Sequence, residues 1–145
     1  MLWLLFLHIG SLVTWAAALC ILLLLIPRAS SVGPQISKKS DSLERLWFTL
    51  LASPAGLLTI VSGTAIFAFD DNLDRWLLLK LTVVTALVVC HVTAGLLILY
   101  SHRPAAKSVA GKSYGLLGIV LLLLSSIIVL VLLKPQLEAL RWFAS

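Results

Sequence analysis

The chain has 145 residues, 61% hydrophobic and 12% charged, with 11 Lys and Arg against 6 Asp and Glu for a net charge of +5. Soluble domains carry about 25% charged residues, so this composition excludes an ordinary water-soluble globule. It also excludes a nucleic-acid partner, which needs a basic patch on a polar folded surface. Cys20 and Cys90 both lie within apolar runs, and two such residues form neither a disulfide framework nor a zinc site.

Four stretches meet the length test for crossing a bilayer, about 20 apolar residues at a rise of 1.5 Å each. The first span is expected over 2–26, with Pro27 and Arg28 stopping it. It has no basic segment before it and is longer than a secretory signal's apolar run, so it reads as a retained span. The second is expected over 46–69, entered through Asp41-Ser42-Leu43-Glu44, where Asp41 or Ser42 can cap free backbone N–H groups. Pro54 inside it predicts a bend near Leu50 to Pro54. The third is expected over 75–100 and the fourth over 113–133, ended by Lys134-Pro135. Residues 136–145 mix Leu137, Leu140, Trp142 and Phe143 with Glu138 and Arg141, the pattern of a short interfacial helix. The expected fold is an all-α integral membrane protein: one domain, a four-transmembrane-helix bundle with a short C-terminal interfacial helix.

Lys and Arg in short loops set orientation. The first and third connections hold Arg28, Lys38, Lys39, Arg45, Arg103, Lys107 and Lys112, whereas the opposite side holds Arg75, Lys134 and Arg141 beside acidic Asp70, Asp71 and Asp74. Both termini are therefore expected outside the cytoplasm, in a bacterial-type inner membrane. Trp3, Trp47, Trp76, Trp142 and Tyr100 fall near span ends, where such rings anchor helices at the headgroups, and Trp15 lies well inside a span.

Ionisable groups within hydrocarbon are functional candidates by default, and His8, Lys80 and His91 qualify. Counted along their helices, His8 lies roughly 9 Å and Lys80 roughly 6–7 Å from the outer ends, with His91 roughly 16 Å deeper than Lys80. Lys80 can snorkel to the headgroups, His8 can be a neutral imidazole bonded to a nearby Ser or Thr, and His102 belongs to a loop. Against these structural roles stands ligation: neutral imidazole binds iron, copper or zinc, and helical bundles build haem sites from facing helices. His8 paired with Lys80 is the first choice for a metal, with His91 the alternative ligand. An amine ligates iron only when deprotonated; a charged Lys80 pairs instead with an acidic group of a tetrapyrrole. Copper is the competing metal, although Met1 is the sole methionine.

The ordered set His8 and Trp15, Pro27-Arg28, Leu43-Glu44-Arg45-Leu46-Trp47, Ser53-Pro54-Ala55, Trp76 with Lys80-Leu81, Cys90-His91 and Lys134-Pro135 resembles the HemJ-type protoporphyrinogen IX oxidase family. It is similar, more loosely, to the CopD family of copper-linked membrane proteins. The resemblance spans nearly the whole chain. It implies a four-helix membrane protein that binds haem b and oxidises protoporphyrinogen IX to protoporphyrin IX, with a tetrapyrrole substrate and a quinone-type electron acceptor. In that family the first-span histidine and third-span lysine are tied to haem and activity, and they fall on His8 and Lys80. Arg28 matches a propionate-binding candidate, and Trp15 joins the cofactor-binding set. Where the family's fourth helix opens with Asn-Glu-x-Pro, this chain has apolar Leu117-Gly118-Ile119-Val120, a departure that touches the oxidase activity more than the haem site. The competing readings are a copper-handling protein using His8 and His91, and a small non-catalytic subunit of a larger respiratory or transport membrane complex; as partners, a homo-oligomer or a larger membrane complex is expected.

Overall fold

Leu, Ile and Val fill every long segment, and in an apolar solvent a backbone so composed must satisfy its own N–H and C=O groups, which a helix does. The computed structural model describes residues 2–30, 42–70, 75–101 and 109–143, with the side chains at 29–30, 69–70, 75–77 and 134–143 outside that description. The described residues form four long helices and no strand. Helix α1 is Leu2–Ser30; α2 covers 42–70 and contains a π-helical turn at Phe48–Ala52 before its main part, Ser53–Asp70; α3 is Arg75–Ser101; α4 is Val109–Phe143. Each contains a segment long and apolar enough to cross a membrane. The expectations for Lys38, Lys39, Asp41, His102, Arg103 and Lys107, and for the Trp76 and Trp142 side chains, fall outside the described residues.

Helices α2 and α4 begin four residues before the expected 46 and 113, and two helices run past the stops expected from the sequence. Pro27 does not stop α1, which continues to Ser30. A proline removes the N–H that would bond the carbonyl four residues earlier, here that of Leu23. Ser113 of α4, fully buried, donates its hydroxyl to that same Leu23 carbonyl. Likewise α4 runs through Lys134-Pro135 to Phe143, so the expected break and separate helix over 136–145 give way to a continuation of α4. The residues after Pro135, Gln136 to Arg141, are all strong helix formers, and their local preference carries the helix past the single missing bond.

The expected irregularity near Pro54 takes the form of the π-turn. The Ser53 backbone N–H bonds the Phe48 carbonyl, five residues back, and the Ser53 hydroxyl donates to the same oxygen at 2.9 Å. The extra residue in the turn makes room for the Pro54 ring, which would otherwise meet the preceding turn.

Hydroxyls at exposed positions bond back along their own helices. Thr14, Thr64, Thr82, Thr85, Thr93, Ser125 and Ser126 each donate to the carbonyl four residues earlier, which lets them face an apolar surround without an unmet donor.

The helices alternate in direction. Helix α1 touches all three others, α2 leans chiefly on α1, and α3 packs chiefly on α4. Trp15, Leu19, Leu22, Leu23 and Ile26 of α1 form the centre of the core, with Leu87, Cys90 and Ala94 of α3 and Leu116, Val120 and Ile127 of α4 around them. Their spacing of three and four residues is one face of a helix. Helix α4 is peripheral, with only 17% of its apolar window buried. Trp47 departs from a headgroup-anchoring role: it is half-buried, and its indole N–H donates to the Ala18 carbonyl across the α1/α2 contact at 3.3 Å.

Candidate functional site

Because α2 and α3 each lean on a different neighbour, a groove remains between them with α1 beneath it. It has two lobes. One, of about 300 Å³, is lined by His8 of α1, by Thr59, Gly63 and Phe67 of α2, and by Lys80 and Val84 of α3. The other, of about 510 Å³, lies toward the opposite end and is lined by Arg45, Phe48 and Thr49 of α2 and by His91, Gly95 and Leu99 of α3.

In the first lobe His8 is held by its Nδ1 atom. This nitrogen lies 3.0 Å from the Thr59 carbonyl and 3.2 Å from the Ser62 hydroxyl oxygen. A carbonyl only accepts, so Nδ1 carries the proton and donates it, and in the neutral ring Nε2 keeps the lone pair. The Ser62 proton is directed to the Leu58 carbonyl, consistent with its oxygen accepting from His8. The Thr59 hydroxyl, itself buried, reaches Ser11 at 3.0 Å, and Ser11 donates to the His8 carbonyl at 3.0 Å. Gly63 lies flush against the imidazole: a Cβ there would sit 2.9 Å from His8 Cε1 and 3.2 Å from Nδ1. Only a residue without a side chain fits beside the ring, which fixes its plane as well as its tautomer.

His91 occupies the wall of the second lobe in a different state of engagement. The Trp15 indole N–H donates to its Nδ1 at 3.2 Å. Indole is a donor only, so this Nδ1 is an acceptor and the neutral ring's proton lies on Nε2, which makes a long 3.5 Å contact with the Ser53 hydroxyl. Phe48 stacks on the ring at 4.6 Å and 18°, and Trp15 meets it edge-on at 5.9 Å. Gly95 admits the Phe48 ring, since a Cβ there would fall 2.8 Å from Phe48 Cζ. The π-turn and His91 are thus one structure, in which Ser53 bonds the freed Phe48 carbonyl and faces the imidazole.

Of the sequence candidates, His8 and Lys80 share one lobe, whereas His91 and Trp15 are bonded to each other beside the other. Arg28 is exposed in the last turn of α1 and lines neither. It is twenty residues from His8, about 30 Å along the helix. The bond of His8 to a nearby Ser or Thr, expected as its structural role, is present at Thr59 and Ser62; sequence reading did not say which residues these are, nor that Gly63 packs on the ring. Glu44, named in the sequence only at the entry to the second span and within the resemblance, is a carboxylate only 1% exposed near the start of α2.

Among the described residues no three His, Cys, Asp or Glu side chains converge as a metal-binding group. A haem needs fewer protein ligands, because the porphyrin supplies four. His8 has the form of such a ligand: one nitrogen donating to a backbone carbonyl, which sets ring orientation and raises the basicity of the other. His8 is the residue in the first lobe that would hold a haem, whereas His8 and His91, the pair considered for copper, line different lobes.

Compared with known proteins, the chain matches no family model, no curated protein and no solved structure.

Proposed function

We propose that this chain is a multi-pass integral membrane protein that binds haem b in the α2/α3 groove, where His8 would hold it. One observation carries the reading: His8 is fixed through Nδ1 on the Thr59 carbonyl and lines a membrane-level lobe that Lys80 shares. Lys80, in the same lobe, would help hold it, as a ligand if deprotonated or as the partner of an acidic group if charged. When bound, haem would supply one-electron redox chemistry. The chain's own residues orient the His8 ring through Thr59 and Ser62, let it lie against α2 through Gly63, and line the lobe with apolar Ile60, Phe67 and Val84.

The activity we assign to it is oxidation of protoporphyrinogen IX to protoporphyrin IX, with six electrons and six protons removed and a quinone-type acceptor. The HemJ-like order of residues from His8 to Lys134-Pro135 supports this assignment. The proposed setting is a bacterial-type inner membrane with both termini outside the cytoplasm, on the strength of the loop cations.

Detergent-purified protein should show a Soret band that is lost in His8→Ala and altered in Lys80→Met. A colourless preparation carrying stoichiometric copper would refute haem binding and favour the CopD-like reading. The oxidase assignment has its own test, complementation of a strain lacking its protoporphyrinogen oxidase; haem retained without complementation would remove that assignment and leave the haem site standing.

A further inference from the structure

The larger lobe has a gradient of chemistry along its length. At its mouth stands Arg45, exposed in the first turns of α2 and level with Leu99 near the end of α3. Among the described residues no carboxylate forms an ion pair with it. Ile98 lies beside Leu99; Leu96 and Val92 follow along α3 toward the stacked Phe48 and His91 rings, and Thr49 adds one hydroxyl to the wall. From residue 99 to residue 91 of α3 is about 12 Å at 1.5 Å per residue. The slot is therefore cationic at one end, apolar over the rest and open sideways between two helices.

His91 adds no second charge at the closed end. Its Nδ1 accepts from Trp15 and so carries no proton, and its ring face is covered by Phe48. A ligand that enters meets one cation near the helix ends and hydrocarbon beneath it. That order matches an amphiphile held upright, with an anionic head at Arg45 and an apolar chain lying down the groove. A neutral amphiphile would leave the guanidinium unpaired, and a soluble anion would leave some 510 Å³ of largely apolar space unfilled.

We propose that the Arg45 lobe is a binding site for an anionic phospholipid taken from the surrounding bilayer, its phosphate on Arg45 and one acyl chain between α2 and α3 against Leu96 and Val92. Basic pockets between membrane helices recognise lipid headgroups in this way. The site is separate from the His8 lobe and does not depend on haem being bound.

The test is native mass spectrometry of the full chain in detergent, titrated with phosphatidylglycerol or with phosphatidylcholine of the same acyl chains. The intact protein is expected to prefer phosphatidylglycerol by about fivefold, the contribution of one cation near a membrane surface. Arg45→Gln should abolish the preference and Arg45→Lys should keep most of it. Lys112→Gln removes a cation at the same end that instead lies over the Tyr100 ring at 4.3 Å, and it should change nothing. Leu96→Trp, at an exposed position lining the slot, should weaken both lipids by filling the space for the chain; if that variant does not fold, the three Arg45 and Lys112 variants decide the matter. A preference that survives Arg45→Gln, or that falls equally in Lys112→Gln, would overturn the proposal. So would displacement of bound phosphatidylglycerol by an equimolar short-chain ubiquinone, which would give the slot to a neutral quinone.

Discussion

Ser113→Ala tests the account of how α1 continues past Pro27. The Leu23 carbonyl loses its helical donor to the proline and receives the Ser113 hydroxyl instead, from a side chain with no exposed surface. Leu23 is also fully buried, so water cannot replace the lost donor. Leaving a buried carbonyl without a partner costs about 1–3 kcal/mol, and the small cavity left by one oxygen adds little to that. Pro27→Ala restores the backbone N–H that bonds Leu23 and should remove most of the penalty. The measurement is a double-mutant cycle over wild type, Ser113→Ala, Pro27→Ala and the pair, read from reversible unfolding in mixed detergent micelles by tryptophan fluorescence. The expected coupling between the two sites is about 1–2 kcal/mol, within the range for residues that share a partner. If Ser113→Ala costs the same in both backgrounds, the hydroxyl is not substituting for the missing amide and the explanation fails.

Gly63→Ala should disturb the His8 ring, because the added methyl would lie 2.9 Å from Cε1, where carbon contacts settle at about 3.5–4.0 Å. Relative to Gly10→Ala, which meets nothing within 4 Å, it should be less stable by about 1–3 kcal/mol and shift the Soret band; identical spectra and stabilities would contradict the packing described. Thr59→Val removes the hydroxyl that reaches Ser11 but keeps the carbonyl that holds His8. It should cost about 0.5–1.5 kcal/mol and leave the absorption spectrum in place, so a lost spectrum would show that the hydroxyl, not the carbonyl, matters. Trp15→Phe takes the donor from His91 Nδ1 and should destabilise by about 1–3 kcal/mol, with a smaller loss when His91→Phe is already present. An undiminished loss in that background, by chemical denaturation, would mean that the indole acts through packing alone.

The four long apolar helices were legible because their cause is local: a run of Leu, Ile and Val of sufficient length favours a helix whatever its neighbours are. The level of His8 and Lys80 was legible for the same reason, since rise per residue converts sequence position into depth. Helix ends were less so. Pro27 and Pro135 are strong stop signals by propensity, yet α1 and α4 pass through them. At Pro27 a serine 86 residues away in the chain fills the missing bond, and nothing in the local sequence announces it.

The same distinction divides the two histidines. Both are single imidazoles in apolar helices, and in the sequence only depth separates them, pairing His8 with Lys80 and leaving His91 the alternative ligand. Their difference arises from which element lies opposite each ring. A carbonyl faces Nδ1 of His8 and forces it to donate, whereas an indole N–H faces Nδ1 of His91 and forces it to accept. Composition and the length of the apolar runs determined the four apolar helices among the described residues and where along them the ionisable groups fall. Only the packing of α2 on α1 and of α3 on α4 decided that a groove remains between α2 and α3, because contacts between distant segments set hydrogen-bond direction and empty space, and neither is written in any one segment.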